Sequence, residues 1–273
     1  MSLGVGLIGC GAIGTVLAHA IDEGQAGDAC LVMIYDRRSE KAEFLSGGLR
    51  KKPKIAVNFE EIIKCKEVDL IVEAASQEAV KAYAFRVLKA GKDLMIMSVG
   101  ALVDQGLASE IRRIAKKEGR RVYIPSGAIA GLDGVKASSI CRVKKIALTT
   151  RKPPESLREN PYFMEKFGGK VEGPTLLYEG PAVEACKLFP ANVNVAAALG
   201  LAGVGMENTL VRIIVDPSLD KNVHEIEVVG EFGELKVCVQ NVPSASNPKT
   251  SYLAALSAIA TLRKITEPIV VGT

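Results

Sequence analysis

Three glycines near the N-terminus of this chain are the clearest candidates for chemistry. Gly9, Gly11 and Gly14 form the pattern G-x-G-x-x-G between an apolar run and an amphipathic stretch. In a dinucleotide-binding turn the first glycine permits a tight bend, the second lets a pyrophosphate approach the backbone, and the third allows close helix packing. The free N–H groups of the helix that follows would bind the phosphates. We therefore predict cofactor contacts at Gly9, Gly11, Ala12, Ile13 and Gly14.

An acidic residue follows the glycines at the spacing expected for a ribose ligand. Asp36 ends the second apolar run, about 20 residues after the last glycine. Its carboxylate can accept from a ribose 2′-hydroxyl and would repel a 2′-phosphate, which favours NAD. Arg37 and Arg38 come next and could hold that phosphate through bidentate contacts. We predict NAD as cofactor, with contacts from Asp36 and Arg37 and with NADP tolerated.

Two histidines are available for proton transfer, His19 and His224. His19 lies in the helix after the glycines, where a surface or flank position is the simpler interpretation. His224 lies in the polar segment DPSLDKNVHEI at 216–226, which we interpret as a turn entering a strand. With an ordinary pKa of about 6.5, an imidazole there could exchange protons near neutral pH. On spacing alone, a surface histidine in a turn, with no chemical role, is the simpler interpretation.

The remaining pattern predicts the elements that position these residues. Short apolar runs alternate with amphipathic stretches up to residue 125, which is typical of a doubly wound parallel sheet, an α/β Rossmann fold. Later β-branched runs with fewer helices between them indicate a smaller α+β domain. We predict a Rossmann domain over 1–124, completed by a C-terminal helical segment over 241–273, and a catalytic and dimerisation domain over 125–240. Strands are expected at 5–8, 31–35, 55–57, 70–72, 93–97, 122–124, 145–150, 209–215, 226–229 and 235–239, with 151–161 as a loop.

Composition limits the classes of function. Hydrophobic residues make up 48% and charged residues 24%, with a net charge of +4 that is too small and scattered to predict nucleic-acid binding. The six cysteines are widely spaced, so we predict neither a metal site nor disulfides, and a reducing compartment. Apolar runs are too short to span a membrane. We expect a cytoplasmic protein.

Several segments resemble the L-aspartate dehydrogenase family, and they extend from the first glycines to the last helix. They are SVGAL at 98–102, PSGAIAGLD at 125–133, TRKPP at 150–154, LFPANVNVAA at 188–197, the D-P…H-E-I segment at 216–226 and NPKTS at 247–251. The resemblance implies that His224 is the catalytic residue. It also implies that Ala128 and either Asn192 or Asn194, with Asn194 preferred, contact the cofactor.

The same resemblance implies an activity and an assembly. The expected reaction is oxidative deamination of L-aspartate, through iminoaspartate, to oxaloacetate and ammonia, with NAD or NADP reduced. Iminoaspartate could feed NAD biosynthesis. A homodimer is expected, with the glycine-rich helix around 196–205 as a candidate interface. The substrate carboxylates need cations, for which Lys136, Arg151 and Lys249 are eligible.

Three other functions compete with this interpretation. A homoserine dehydrogenase or dihydrodipicolinate reductase would share the first half, although the segments around Asn192 and His224 argue against both. A semialdehyde dehydrogenase needs an activated cysteine, and Cys141 and Cys186 have no local base. A Rossmann protein can also bind NAD without turnover. A solvent-facing His224 would favour that last alternative.

Overall fold

The chain folds into two compact units. The computed structural model describes residues 2–189, 193–244 and 247–273, apart from the side chains of 193 and 243–250. The first unit comprises residues 1–125 and 255–271, and the second comprises 126–254 and 272–273. Residues 241–254, which the sequence analysis groups with the first domain, therefore lie in the second unit.

The first unit is a six-stranded parallel sheet with helices between the strands. Its strand order is β3-β2-β1-β4-β5-β6, the doubly wound order of dinucleotide-binding domains. This confirms the predicted α/β class. The elements are β1 (Leu3–Ile8), α1 (Ala12–Asp22), β2 (Ala29–Tyr35), α2 (Ser39–Gly48), β3 (Lys54–Ile55), α3 (Phe59–Lys64), β4 (Leu70–Glu73), α4 (Gln77–Lys89), β5 (Asp93–Ile96), a 3₁₀ turn (Val99–Val103), α5 (Gln105–Glu118) and β6 (Val122–Tyr123).

Local sequence signals explain why these elements form. The central strands β1 and β4 are almost continuous apolar runs because helices cover both faces of a parallel sheet. Asn58, Ser76 and Asp104 cap the starts of α3, α4 and α5 by accepting a hydrogen bond from a first-turn N–H. Gly119 ends α5 in the left-handed conformation that glycine adopts without strain.

The second unit is built on a mixed five-stranded sheet in the order β11-β10-β7-β9-β8. Strands β7 and β9 are parallel, and the other neighbours are antiparallel. Its elements are α6 (Leu132–Ser138), β7 (Val143–Lys152), a 3₁₀ turn (Pro154–Leu157), α7 (Pro161–Phe167), β8 (Thr175–Pro181), α8 (Ala182–Leu188), α9 (Val193–Ala202), β9 (Thr209–Val215), β10 (Asn222–Gly230), β11 (Gly233–Asn241), β12 (Pro243–Ser244) and β13 (Asn247–Ser251).

The last helix, α10 (Tyr252–Thr266), returns the chain to the first unit. Ala258 and Leu262 are fully buried in the core cluster that also contains Leu17 on α1. Near the end of α10, the Thr266 hydroxyl accepts a hydrogen bond of 3.2 Å from the Asp28 amide. The C-terminal segment therefore completes the core of the nucleotide-binding fold.

None of the described helices is long and apolar enough to cross a membrane. The longest, α10, has 15 residues and two basic residues in its last turn. At 1.5 Å per residue it spans about 22 Å, whereas a bilayer core is about 30 Å thick.

The second unit departs from the sequence prediction in several places, including the two short strands β12 and β13, which are not predicted. Strand β8 is not predicted, and β7 continues through Arg151 and Lys152 where we expected a loop. Strand β10 begins at Asn222, so His224 lies inside a strand and not in a turn. The common reason is pairing with distant strands, which overrides local composition.

The glycine-rich segment around 196–205, the candidate interface, is partly buried within the second unit. Residues Ala196–Leu199 of α9 are at most 3% exposed within the fold. A Cβ atom on Gly203 would lie 2.7 Å from the Ile146 side chain, and one on Gly200 would lie 2.7 Å from Met206. These glycines are therefore explained by packing inside the second unit.

Candidate active site

The three glycines between β1 and α1 have different surroundings that match their expected roles. Gly9 has a φ of +99°, and a Cβ there would lie 2.5 Å from the Ala74 carbonyl oxygen. A Cβ on Gly14 would lie 2.0 Å from the Gly9 carbonyl oxygen. A Cβ on Gly11 would meet no atom within 4 Å. The turn is thus closed at its first and third glycines and open at the second, where a pyrophosphate would lie.

The start of α1 is suited to bind an anion at this open position. Gly11 is the N-cap and has no side chain to satisfy the first-turn amides, and the first turn holds no acidic residue. The first intrahelical bond runs from the Thr15 amide to the Gly11 carbonyl. The N–H groups of Ala12 and Ile13 precede it and point along the helix axis. The predicted phosphate contacts therefore fit a dinucleotide.

Asp36 lies directly after β2 and contacts the glycine turn. Its Oδ2 accepts from the Cys10 amide at 2.8 Å, and its Oδ1 accepts from the Arg38 amide at 3.0 Å. Arg37 and Arg38 have exposed side chains, and neither guanidinium forms a hydrogen bond or ion pair within the described part of the chain. The carboxylate is fixed at the edge of the turn, and two cations lie beside it in sequence.

Glu73, which the sequence analysis missed, organises the neighbouring loops. It ends β4 and is only 2% exposed. Its carboxylate accepts from the amides of Ala75, Ser76 and Ser98 at 2.8, 2.8 and 3.0 Å, and from the Ser98 hydroxyl at 2.9 Å. Burial raises the pKa of Glu73, while these hydrogen bonds act in the opposite direction. The sequence signal was an acidic residue at the end of an apolar run, where parallel-sheet domains bind ligands.

In the second unit, His224 is held between neighbouring strands. It lies opposite Thr150 in the β10–β7 register. The Thr150 Oγ1 and the His224 Nδ1 are 2.9 Å apart and form a hydrogen bond. Both side chains are buried, at 4% and 5% exposure. This bond uses Nδ1 and leaves Nε2 available for a ligand.

The surroundings of His224 change the expected protonation state. Burial, and next the charge of Lys152, lower the pKa of His224 to about 3. The imidazole is therefore neutral at pH 7 in the ligand-free protein. The sequence predicts a polar turn and an ordinary pKa, and both predictions are wrong because β10 places the ring at a buried position in a strand. A neutral imidazole can accept a proton, and a negatively charged ligand bound beside it would raise its pKa towards the range of an efficient general base.

Lys152 is a second functional group that the sequence analysis missed. It ends β7 and is 7% exposed, and burial lowers its pKa to about 8. Its ammonium group has no hydrogen bond or ion pair with any described residue. The Asp216 amide donates to the Lys152 carbonyl at 2.8 Å, while the Asp216 carboxylate accepts from Ser218. The available signal was the TRKPP segment, which looked like a charged loop.

The three cations predicted to bind the substrate carboxylates differ from Lys152 in their burial, in their ion pairing or in whether the structure describes them. Arg151 forms an ion pair of 3.2 Å with Glu225, on the opposite face of the sheet from His224. Lys136 is exposed on α6. The side chain of Lys249 lies outside the described part of the chain. Among these cations, Lys152 alone is both buried and unpaired in the described structure.

All the predicted cofactor contacts stay predictions, including those in the second unit. Ala128 is 9% exposed, and its carbonyl accepts a hydrogen bond of 2.9 Å from the Asn241 side chain. The Asn241 Oδ1 in turn accepts from the Ser251 hydroxyl. Asn194 is an exposed residue of the first turn of α9, and Asn192 lies outside the described residues.

The cysteines show no activated nucleophile. Burial raises the pKa of Cys186 to about 12, which keeps the thiol protonated. The Cys141 thiol donates to the Ser138 carbonyl at 3.2 Å. Among the described residues, no group of three or more His, Cys, Asp or Glu side chains could hold a metal ion. These observations argue against the semialdehyde dehydrogenase alternative.

The doubly wound sheet, the glycine turn and the acid after β2 define the first unit as the nucleotide-binding domain of a two-domain dehydrogenase. Comparison with family models agrees. Residues 9–125 match the NAD-binding domain of homoserine dehydrogenase, and residues 133–265 match the C-terminal domain of aspartate dehydrogenase. The chain belongs to the aspartate dehydrogenase family.

Individual relatives support this assignment over the full length. The chain is 49% identical to L-aspartate dehydrogenase from Methanocella arvoryzae, covering 98% of this chain and 99% of the relative. It is 48% identical to that from Methanosarcina barkeri, covering 99% and 100%. The crystal structure of aspartate dehydrogenase from Thermotoga maritima matches with a TM-score of 0.79, 31% identity and complete coverage of both chains.

Proposed function

We propose that this protein is an NAD(P)-dependent L-aspartate dehydrogenase that converts L-aspartate, through iminoaspartate, to oxaloacetate and ammonia. The observation that carries the proposal is the buried, neutral His224 in a chain that aligns end to end with L-aspartate dehydrogenases. The first unit supplies the nucleotide site, and the second unit supplies the group that handles protons.

The chemistry requires a hydride acceptor and a proton acceptor. A bound nicotinamide cofactor supplies the hydride acceptor for the substrate Cα. His224 takes a proton from the substrate ammonium group, so that the nitrogen lone pair can form the C=N bond as the hydride leaves. After that proton has passed to solvent, the imidazole takes a second proton from the water that attacks the imine. The protonated imidazole returns this proton to the nitrogen, and loss of ammonia together with the hydroxyl proton then gives oxaloacetate. Thr150 fixes the ring and keeps Nε2 available for these transfers.

The assay that tests the proposal is formation of the reduced cofactor from L-aspartate at mildly alkaline pH. We expect turnover with L-aspartate and none comparable with L-homoserine, L-glutamate or L-alanine. Tight NAD binding without turnover on any of these amino acids would contradict the proposal and indicate another substrate or a binding-only protein.

The same assay, run with each cofactor at low concentration, tests the cofactor preference. We propose NAD as the preferred cofactor because the Asp36 carboxylate lies at the edge of the glycine turn. Use of NADP is expected as well, because Arg37 and Arg38 are exposed and unpaired in the described structure. A strong preference for NADP would contradict the assignment of Asp36 as the ribose ligand.

The two remaining alternatives are weaker. A binding-only module would be favoured by a solvent-facing His224, and the ring is instead 5% exposed and hydrogen-bonded. A homoserine dehydrogenase-like enzyme would share the nucleotide-binding domain, which is the part of the chain that matches that family model. The second unit, which carries His224, matches the aspartate dehydrogenase model.

We further propose that two copies of the chain associate through the open face of the second sheet. This face carries pairs of opposite charge, Lys145–Glu227 at 2.5 Å and Arg212–Glu179 at 2.5 Å. Leu176 is 49% exposed beside them. A face that carries both charges in alternating positions can be complementary to itself about a two-fold axis.

Light scattering is expected to give twice the chain mass of 29.0 kDa. Leu176→Arg, which adds a charge to the apolar part of this face, is expected to shift the protein towards the monomer. A monomeric wild-type protein, or a variant that stays fully dimeric, would contradict this interface.

A further inference from the structure

The end of the second sheet places two unsatisfied polar groups next to His224. In the β10–β7 register, His224 faces Thr150 and Val223 faces Arg151. The paired register ends there, and continuing it by one position sets Asn222, the first residue of β10, across from Lys152, the last residue of β7. Side chains alternate along a strand, so Lys152 and Asn222 lie on the same face as Thr150 and His224.

Both members of this pair lack a partner. The Lys152 residue is 7% exposed, and its ammonium group, which is not fully enclosed, has no counter-ion or hydrogen bond among the described residues. The Asn222 Oδ1 is the one fully buried side-chain oxygen or nitrogen without a hydrogen bond in the described structure. Buried polar groups are nearly always hydrogen-bonded, and an unpaired buried charge is costly. The unpaired Lys152 ammonium and the unpaired Asn222 Oδ1 therefore point to a ligand that carries both a negatively charged acceptor and an N–H donor.

An asparagine on the neighbouring strand β11 has the hydrogen bonds that Asn222 lacks. Asn241 on β11 lies opposite Asn222 in the ladder. Its side chain is fully used, because it donates to the Ala128 carbonyl and accepts from Ser251. The row Asn241, Asn222 and Lys152 therefore begins at a residue that is hydrogen-bonded to the predicted cofactor contact Ala128 and ends at an unpaired cation.

We propose that Lys152 and Asn222 bind the α-amino-acid head group of the substrate, with the Lys152 ammonium on the α-carboxylate and the Asn222 Oδ1 accepting from an N–H of the amino group. The assignment rests on the proposed function. Directly opposed residues of a ladder have Cβ atoms about 5 Å apart, a separation that suits adjacent amino and carboxylate groups. The amine would also lie next to His224, because His224 is two residues from Asn222 on the same face.

The test uses the NADH-loaded enzyme and two analogues, each lacking one half of the head group. Succinate lacks the amino group, and β-alanine lacks the α-carboxylate. Lys152→Met is expected to raise KM for L-aspartate and the dissociation constant of succinate by about 10- to 150-fold, the worth of one hydrogen bond to a charged group. Binding of β-alanine should change little. Asn222→Leu is expected to weaken the binding of L-aspartate and β-alanine and to leave the binding of succinate unchanged.

Lys144→Met is the matched control, because Lys144 is an exposed lysine at the other end of β7. Thermal unfolding separates ligand binding from structural damage. Lys152→Met removes a buried unpaired charge and should leave the melting temperature unchanged or raise it.

An unchanged KM in Lys152→Met, or equal weakening of both analogues, would overturn the inference. The proposed function can fail separately. In that case wild-type enzyme shows no turnover of L-aspartate, while succinate binding still depends on Lys152.

Discussion

Replacing His224 by alanine is expected to lower kcat for L-aspartate by more than about 100-fold, the usual size of an acid–base contribution. The dissociation constant for NAD should stay unchanged, because His224 is not among the residues that we assign to cofactor binding. The physical reason is the loss of a buried neutral base whose orientation the Thr150 hydroxyl fixes. Steady-state kinetics and cofactor titration by fluorescence measure the two quantities.

Two further variants separate catalysis from folding. His224→Asn keeps a polar side chain near Thr150 and should lose activity as severely as alanine does. His19→Ala removes the other histidine, which lies half-buried on α1, and should retain most of the activity. Near-normal turnover in His224→Ala would remove this residue from the chemistry.

Adding one methyl group at Gly11 is expected to weaken cofactor binding while leaving the ligand-free fold intact. Gly11 has a φ of −85°, which alanine adopts, and a Cβ there meets no atom within 4 Å. The free energy of unfolding should therefore change by less than about 0.5 kcal/mol. Overpacking against the pyrophosphate would cost about 1–3 kcal/mol, or roughly 5- to 150-fold in the dissociation constant for NAD.

The neighbouring positions provide opposite controls. Gly14→Ala places a Cβ 2.0 Å from a backbone oxygen and is expected to lower the free energy of unfolding by about 3 kcal/mol or more. Gly47→Ala adds a methyl group on the exposed face of α2, where no atom lies within 4 Å, and should leave NAD affinity unchanged. Wild-type NAD affinity in Gly11→Ala would show that the pyrophosphate does not lie at this turn.

The nucleotide-binding half was predictable because its signals are local. The glycine spacing, the apolar strands and the capping residues each lie within a few positions of the structure that they specify. Strand order also follows, since parallel strands joined by helices form few topologies. The strand predicted at 70–72 is β4, which extends only one residue further, to Glu73.

The candidate site in the second unit was only partly predictable. His224 was found through a family resemblance, but its burial depends on pairing with β7, more than 70 residues earlier in the chain. Lys152 and Asn222 were missed for the same reason, since a lysine before two prolines looks like a loop residue. Glu73 was missed because its four hydrogen-bond donors lie on two separate loops. Local sequence carries little information about such long-range contacts.

The depressed pKa values of His224 and Lys152 link ligand binding to the solvent proton concentration. Both groups bind protons more weakly in the folded, ligand-free protein than in an unfolded chain, His224 near pH 3 and Lys152 near pH 8. A negative charge bound beside them raises both pKa values, so a dicarboxylate enters the site together with a fraction of a proton. The apparent affinity for such an anion therefore rises as the pH falls, and the protein takes up a fraction of a proton from solvent each time the anion binds.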